Sequence, residues 1–534
     1  MTRDDPWHRR FGRAATQFAA LFLCTLAVSA APARAEPVTI THGGTAVSGD
    51  ILGFDGTFLR LMTDAGEVTL RYDHTECEGA LCPDPEDYVP RLRLSGAARM
   101  SDVLMPALIE GYARTRGLRA VRREVDPLHF EYDVEDASSG LPVLRFSFHV
   151  GTSDEGFADL FSNQADAALS VREIRPEEAR QGSEAGLGRL SDARRSEIVA
   201  LDALVPVGSP RRLLRPLTPT ELAGLFAGTI TDWAQLGLAP GPVKLHLGPE
   251  QSGDVQGFID GVLTPAGVTL SDTVQFHDTT DAMTTAVAQD AGAVGVAPYR
   301  NHGLARPLPL GGSCGMVSDA NLLSLKTEDY TLTRPLFIYL PERRMAPEAS
   351  AWLAWLRSSE AQKIVRRAGF VDRGPVPVPL SRQGDRLARA ILVAGEEISL
   401  ANLQDMVGKL SRRQRLSTTF RFTPGSTRLD AQSRSNMLQL GRAIRDGEYQ
   451  GARLFLVGFS DGVGPAEANR SLSLARAESV RRQLLNVLSD GLPDGVSLEI
   501  DAFGEALPLA CDDSDWGRQT NRRVELWVAQ GALQ

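Results

Sequence analysis

Three periodicities follow one another along the chain. Between 36 and 88, short alternating stretches (VTI, DILGF, TFLRLM, EVTLRY) are broken by the turn signals Gly43-Gly44, Asp55-Gly56 and Ala65-Gly66. A period of two with such breaks predicts a small antiparallel β module. From about 89 to 380, strand-like apolar runs are each followed by an amphipathic helical pattern, as in LRLSG then SDVLMPALIEGYA, or ALDALVPVG then PTELAGLF. That alternation predicts an α/β region. Over 381–415, Ile398, Leu400, Leu403, Val407 and Leu410 mark one helical face before SRRQR, a pattern that reads as a helical linker. From 416 to 534 the order is strand, helix, strand, helix, strand: TTFRF, 430–445, ARLFLVGF, 466–488, then SLEIDAFG and RVELWVA. This predicts an α+β domain, and the whole chain is expected to be a multidomain α/β protein.

One stretch is apolar enough to reach into a membrane, about 14–31, and it lies behind Arg9, Arg10 and Arg13 and ahead of Ala33-Arg34-Ala35. A basic start, the run AALFLCTLAV and a small-x-small site predict an export signal over 1–35, cleaved before Glu36. Cys24 lacks the preceding small residue of a lipid-modified cysteine, so a lipoprotein is not expected. The remaining composition is that of globular protein: of 534 residues, 43% are apolar and 23% charged, which excludes disorder, collagen and a membrane bundle. The net charge is −10, and losing five Arg and two Asp with the leader deepens it to −13. With no long basic run, a nucleic-acid partner is not expected.

Eight His without a metal-ligand cluster, no G-x-S-x-G elbow and no Gly-rich phosphate loop leave neither nucleophile nor base to assign. A non-enzymatic binding protein without metal or cofactor is expected. Export would place the cysteines in an oxidising compartment, where Cys77 and Cys82 are candidates for a small disulfide loop. Cys314 and Cys511 read either as a pair across domains or as two buried thiols.

Within the α/β region three segments place small polar residues ahead of a helical pattern: SGAARMSDVL (95–104), GTSDEGFADLF (151–161) and PEQSGDVQGFI (249–259). Helix N-termini carry unpaired N–H groups and a partial positive charge, so three of them converging would hold a small anion. Their order is accompanied by QADAALSVREIRPEE (164–178), LTPTELAGLFAGTITDWAQLG (217–237), AVAQDAGAVGVAPY (286–299), YTLTRPLFIYLPE (330–342) and SSEAQKIVRRAGFVD (358–372). Together these segments resemble the periplasmic phosphate-binding proteins of ABC transporters. The resemblance implies two α/β lobes over 89–380 that close on an oxyanion. The residues expected around the anion are Arg99, Ser153, Ser170, Arg172, Ser252, Gly253 and Asp254.

The chain departs from that family at Ala98-Arg99, where the family has Ser-Thr, at Gly248, where it has Arg, and at Asp254, where it has Thr. An aspartate beside a bound dianion repels it by about 1–4 kcal/mol, and Arg99 would supply the compensating charge. Two readings stand. In one, the domain binds phosphate or a related oxyanion for uptake through an ABC importer or for sensing. In the other, the pocket has drifted and the domain contacts another solute or a protein.

The segments TTFRFTPGSTRLD (418–430), VGFSDGVGPAEANRSLSLARAESVRRQL (457–484), AFGEALPL (502–509) and GRQTNRRVEL (517–526) resemble the C-terminal domains of the OmpA family. That family anchors envelope proteins non-covalently to peptidoglycan, which implies a periplasmic protein held at the cell wall or outer membrane. Diaminopimelate in the stem peptide offers an ammonium and a carboxylate, so a paired acid and base is the matching chemistry. The resemblance implies Asp461 for the ammonium, Arg476 for the carboxylate and Asn469 to orient the loop. Arg522 and Arg523 are assigned to structure or to the rim.

Overall fold

Alternating side chains at the start of the chain form strands because every second one reaches a shared core. A computed structural model describes residues 38–529 apart from 43, 86, 213, 395–396, 424–425 and 427. The leader expected over 1–35 lies outside the described residues. The strands Val38–His42, Thr45–Phe54, Phe58–Thr63, Gly66–Arg71 and Thr75–Glu78 pair antiparallel in the order fourth, third, second, first, fifth. Val38, Ile40, Leu59 and Leu61 make its core, and a Cys77–Cys82 disulfide closes its last loop. So small a core gains from such a covalent tie. This sheet belongs to a unit of its own that ends at Pro83.

The second unit begins at Asp84 and holds the rest of the chain. Its largest sheet has eleven strands and is organised by one of them, Ser196–Gly208, whose thirteen residues are all buried. The first part of that strand pairs with Thr333–Tyr339, beside which lie Ala167–Ser170, Arg91–Ala97, Pro142–Gly151, His129–Asp136 and Leu118–Glu124. The second part, Leu204 to Gly208, pairs with Ala293–Pro298, next to Lys244–Leu247 and Gln275–Phe276. Two lobes therefore share one long strand. A strand buried on both faces carries a continuous apolar run rather than an alternation, as IVALDALVPV does. Among the described residues, no helix is long and apolar enough to cross a membrane.

In the C-terminal sheet the strands are ordered Pro377–Pro379, Arg413–Arg421, Arg523–Ala529, Arg453–Phe459, Ser497–Ala502. The helices Ala431–Arg445 and Ala466–Leu488 cover one face through Met437, Leu440, Ala477 and Leu484. Residues 381–415, expected as a linker, are helical over Gly384–Val393 and Leu400–Leu410 but do not act as a spacer. Ala390, Leu403, Met406 and Leu410 pack on Phe455, Val457 and Trp527 and cover the other face of the sheet. Leu400, placed by its period on the inner face, is 70% exposed, while Met406 is buried.

The C-terminal domain grips both lobes. The second lobe is tied to it by the Cys314–Cys511 disulfide and by Trp516 Nε1, which donates to the Gly261 carbonyl at 3.1 Å. The first lobe is tied by Arg434, which donates to Glu173 at 3.0 Å, and by Gln439, which donates to the Arg373 carbonyl at 3.1 Å. Between these ties runs a buried polar seam. Arg415 holds Asp329 at 2.6 and 2.8 Å, and Thr419 Oγ1 donates to the Thr327 carbonyl at 2.9 Å.

Candidate functional site

The strand Arg453–Phe459 and the helix Ala466–Leu488 cross so closely that a Cβ at Gly458 would lie 2.1 Å from the Ser473 carbonyl oxygen. Only glycine permits that approach, and it fixes the loop after the strand against the helix. Asp461 stands in the loop, 8% exposed, and Arg476 in the helix, 7% exposed. The Asp461 carboxylate accepts from Arg522 Nη1 at 2.7 Å. Arg522, assigned from sequence to structure or the rim, is thus a direct partner of the candidate acid.

Arg476 is different: its Nε and Nη1 are buried and have no hydrogen-bond partner among the described residues. Its guanidinium lies 5.7 Å from the centre of the Phe422 ring. Burial draws its pKa below the ordinary arginine range, opposed by Asp461 and reinforced by Arg522. A buried cation whose donors are unused raises the free energy of the empty site, and a carboxylate entering it would take up a charge-assisted pair.

Around this pair, Asn469 Nδ2 donates to Glu505 Oε2 at 2.5 Å and to the Gly464 carbonyl at 3.2 Å. The Gly462 N–H donates to Asp512 at 2.7 Å. Burial pushes the Glu505 carboxyl above its usual range, with Glu397, Asp512 and Asp461 adding to the effect. The site therefore sets one cation with unpartnered donors, Arg476, and a second, Arg522, already on Asp461, beside the carboxylates Asp461, Glu505 and Asp512, a pattern complementary to a zwitterion. The last two carry no signal of a site in the sequence, since Asp512 adjoins Asp513 in a polar stretch that reads as solvated surface and Glu505 is a lone acid in AFGEALPL. Arg523 is fully buried against Glu525 at 2.7 Å and belongs to the core of the domain.

The residues expected around an anion in the middle region do come together, but on each other. Arg99 Nε donates to the fully buried Asp202 at 3.1 Å, and its guanidinium lies over Phe370. Arg172 holds Glu178 at 2.5 and 2.8 Å, pairs with Asp154, and lies 3.8 Å from Asp260. Asp254 is paired with Arg334. Arg175 bridges Asp154 at 3.1 Å and Asp260 at 2.8 Å, and Gln256 donates across the lobes to Asp154 at 2.6 Å.

The hydroxyls are occupied as well. Ser153 Oγ accepts from the Val171 N–H at 3.2 Å, Ser170 Oγ donates to the Arg172 carbonyl at 2.8 Å, and Ser252 Oγ caps its helix from the Val255 N–H at 3.3 Å. Thr152 caps the helix Ser153–Phe161. A Cβ at Gly253 would lie 3.3 Å from Val171 and 3.5 Å from Ala97, so the lobes are in van der Waals contact at the point where the three segments meet. Four arginines here face five carboxylates of the chain itself. Among the described residues no group of three or more His, Cys, Asp or Glu is arranged to hold a metal ion.

Comparison with known proteins follows the same division. A model of the PBP superfamily domain matches residues 132–360, and a model of the OmpA family matches 421–522. The first match starts beyond Arg99, and the second includes Asp461, Asn469, Arg476 and Arg522. The peptidoglycan-associated lipoprotein of Pseudomonas putida is 32% identical over 148 residues, 27% of this chain and 85% of that protein. Outer membrane protein Omp38 of Acinetobacter baumannii is 38% identical over 77 residues, 14% of this chain and 21% of that protein. The crystal structure of an ABC-type phosphate transport receptor from Vibrio cholerae superposes with a TM-score of 0.41 at 18% identity, covering 52% of this chain and 99% of that one.

Proposed function

The chain belongs to the OmpA family through its C-terminal domain and joins to it a PBP superfamily domain, and we propose on that basis that it is a cell-envelope protein that docks non-covalently on peptidoglycan. In this reading the stem-peptide diaminopimelate places its carboxylate on Arg476 and its ammonium among Asp461, Glu505 and Asp512. The observation that carries it is the buried Arg476 guanidinium with Nε and Nη1 unpartnered among the described residues. Sedimentation with purified peptidoglycan tests it. The wild-type chain is expected in the pellet, with Asp461→Ala and Arg476→Met each losing at least tenfold in retention. Equal retention of wild type and both variants would refute the reading.

For the PBP-like domain we propose a role fixed at the wall rather than carriage of phosphate to an importer. Two observations support this. The arginines between the lobes are neutralised by Asp154, Glu178, Asp202, Asp254 and Asp260, so a phosphate entering there would have to displace carboxylates of the chain. The C-terminal domain also holds both lobes, through Cys314–Cys511 on one and Arg434–Glu173 on the other, which opposes the hinge opening a carrier needs. Calorimetry with phosphate is decisive: heat that disappears in Arg99→Ala would restore the oxyanion-carrier reading.

A further inference from the structure

Between the first lobe and the C-terminal helix Ala431–Arg445 lies a cavity of about 340 Å3. It is separate from the cleft between the lobes and from the Asp461–Arg476 pocket. Its wall carries the cations Arg357, Lys363, Arg366, Arg373 and Arg442, and the acids Glu197, Asp372, Asp446 and Glu448. The acids are unevenly placed. Glu197 accepts from Arg357 at 2.9 and 3.1 Å and lies 3.8 Å from Arg373. Asp372 is shared by Lys326 at 2.9 Å and Arg366 at 3.0 Å. Asp446 and Glu448 are exposed, where water screens them.

Two arginines are left short of negative charge. The Arg373 side chain is 7% exposed, with its Nη1 donating to the Ile198 carbonyl at 2.8 Å, its Nη2 3.4 Å from Asn436 Oδ1, and its nearest carboxylate, Glu197, only at 3.8 Å. Burial draws its pKa down to about 10, with Glu197 opposing and Arg442 reinforcing. The Arg442 guanidinium makes no hydrogen bond or ion pair among the described residues. Its pKa is also drawn down, first by burial and further by Arg357, with Glu197 opposing. Lys363 stands exposed on the rim. Arg442 and Lys363 thus converge with Arg373 on a space whose two interior acids, Glu197 and Asp372, are each already shared between two cations.

We propose that this cavity binds a small dianionic oxyanion of the phosphate class, held by Arg442 and Arg373 with Lys363 at the entrance. A dianion matches the excess of cations, and guanidinium groups offer the forked donors that phosphate oxygens accept. Both domains line the cavity, so the ligand would brace the seam as well as occupy it. The proposal does not rest on the peptidoglycan reading, and it moves the anion from the cleft to the domain boundary.

The test uses the full exported chain with inorganic phosphate, followed by calorimetry and by thermal melts. Phosphate at millimolar concentration is expected to release or absorb heat and to raise the melting temperature. Arg442→Gln is expected to weaken phosphate at least tenfold, and Lys363→Gln severalfold. Without phosphate, Arg442→Gln should melt at or above the wild-type temperature, because it removes a charge that burial and Arg357 disfavour. Absence of binding to the wild type, or equal affinity in wild type and Arg442→Gln, would overturn the site. So would a loss of stability in phosphate-free Arg442→Gln, which would show that the arginine is already satisfied within the fold.

Discussion

Two arginine-centred sites in this chain come from folds associated with ligand binding, and they have been left in opposite electrostatic states. In the cleft between the lobes, Arg99, Arg172, Arg175 and Arg334 each hold a carboxylate of the chain. In the C-terminal site, Arg476 is 7% exposed and holds no carboxylate among the described residues, whereas Arg334 in the cleft, with the same two nitrogens buried and unpartnered, is neutralised by Asp254. A scaffold persists through substitution because many apolar contacts specify it. A charged ligand, by contrast, needs a charge that the chain has not neutralised, and a single substitution can remove it. The two sites differ at that level, and each of the following changes probes the difference.

The largest contrast is expected from removing the arginines. Arg172→Met leaves Asp154 and Asp260 to Arg175 but takes from the largely buried Glu178 the guanidinium that holds it at 2.5 and 2.8 Å, and breaking such a pair from one side costs about 3 kcal/mol. Arg476→Met removes a cation that burial already disfavours and should leave stability within about 1 kcal/mol of wild type, or raise it. Urea denaturation of the two variants measures both. Equal losses would erase the distinction between a neutralised site and an open one.

The seam supplies the mirror image, a carboxylate rather than an arginine short of compensation. Glu328 is buried, lies 3.6 Å from Arg421, and accepts from Asn436 Nδ2 at 3.0 Å. Burial pushes its carboxyl up to about 7, with Arg421 opposing and Asp430 reinforcing. In the unfolded chain it titrates near 4.5, so the folded state holds this proton more tightly. The stability this contributes is fully present below about 4.5 and lost as pH rises through about 7, a change of about 3 kcal/mol. Glu328→Gln cannot ionise and should lack that loss. The difference in urea midpoint between wild type and Glu328→Gln, followed from pH 5 to 8, is therefore expected to widen. A constant difference would mean that Arg421 fully compensates the seam, as Asp202 compensates Arg99 in the cleft.

The architecture was legible wherever one periodicity ran long enough to name its element. IVALDALVPV reads as a strand buried on both faces, and the two C-terminal helices follow from their apolar faces. The site was legible only as a list of positions. Resemblance brought Arg99, Ser153, Arg172 and Asp254 together, but it carried no information on the partners that neutralise them. Asp202 is 103 residues from Arg99, and Arg334 is 80 from Asp254. Pairings of that range leave no trace in spacing. The segment 381–415 was misread for a related reason: an amphipathic helix has the same pattern whether its apolar face meets a distant domain or the sheet that follows it. Leu403, Met406 and Leu410 meet that sheet, while Leu400, one turn earlier, stays exposed.

The smallest expected effect concerns two serines that differ by a single hydrogen bond. Ser153 in the cleft is fully buried, and its hydroxyl accepts from the Val171 N–H at 3.2 Å. Ser153→Ala leaves that N–H buried without an acceptor, at a cost of about 1–2 kcal/mol. The Ser460 hydroxyl, beside Asp461, is buried with no partner among the described residues. Its removal should cost nothing or gain up to about 1 kcal/mol. Binding should invert the order: Ser460→Ala weakens peptidoglycan retention severalfold because the free hydroxyl is one of the groups available to the stem peptide, and Ser153→Ala leaves retention unchanged. Thermal melts and sedimentation on the same preparations read both quantities. A Ser460→Ala as costly to stability as Ser153→Ala would mean that the hydroxyl is satisfied within the fold, and the C-terminal pocket would then be no more open to a ligand than the cleft.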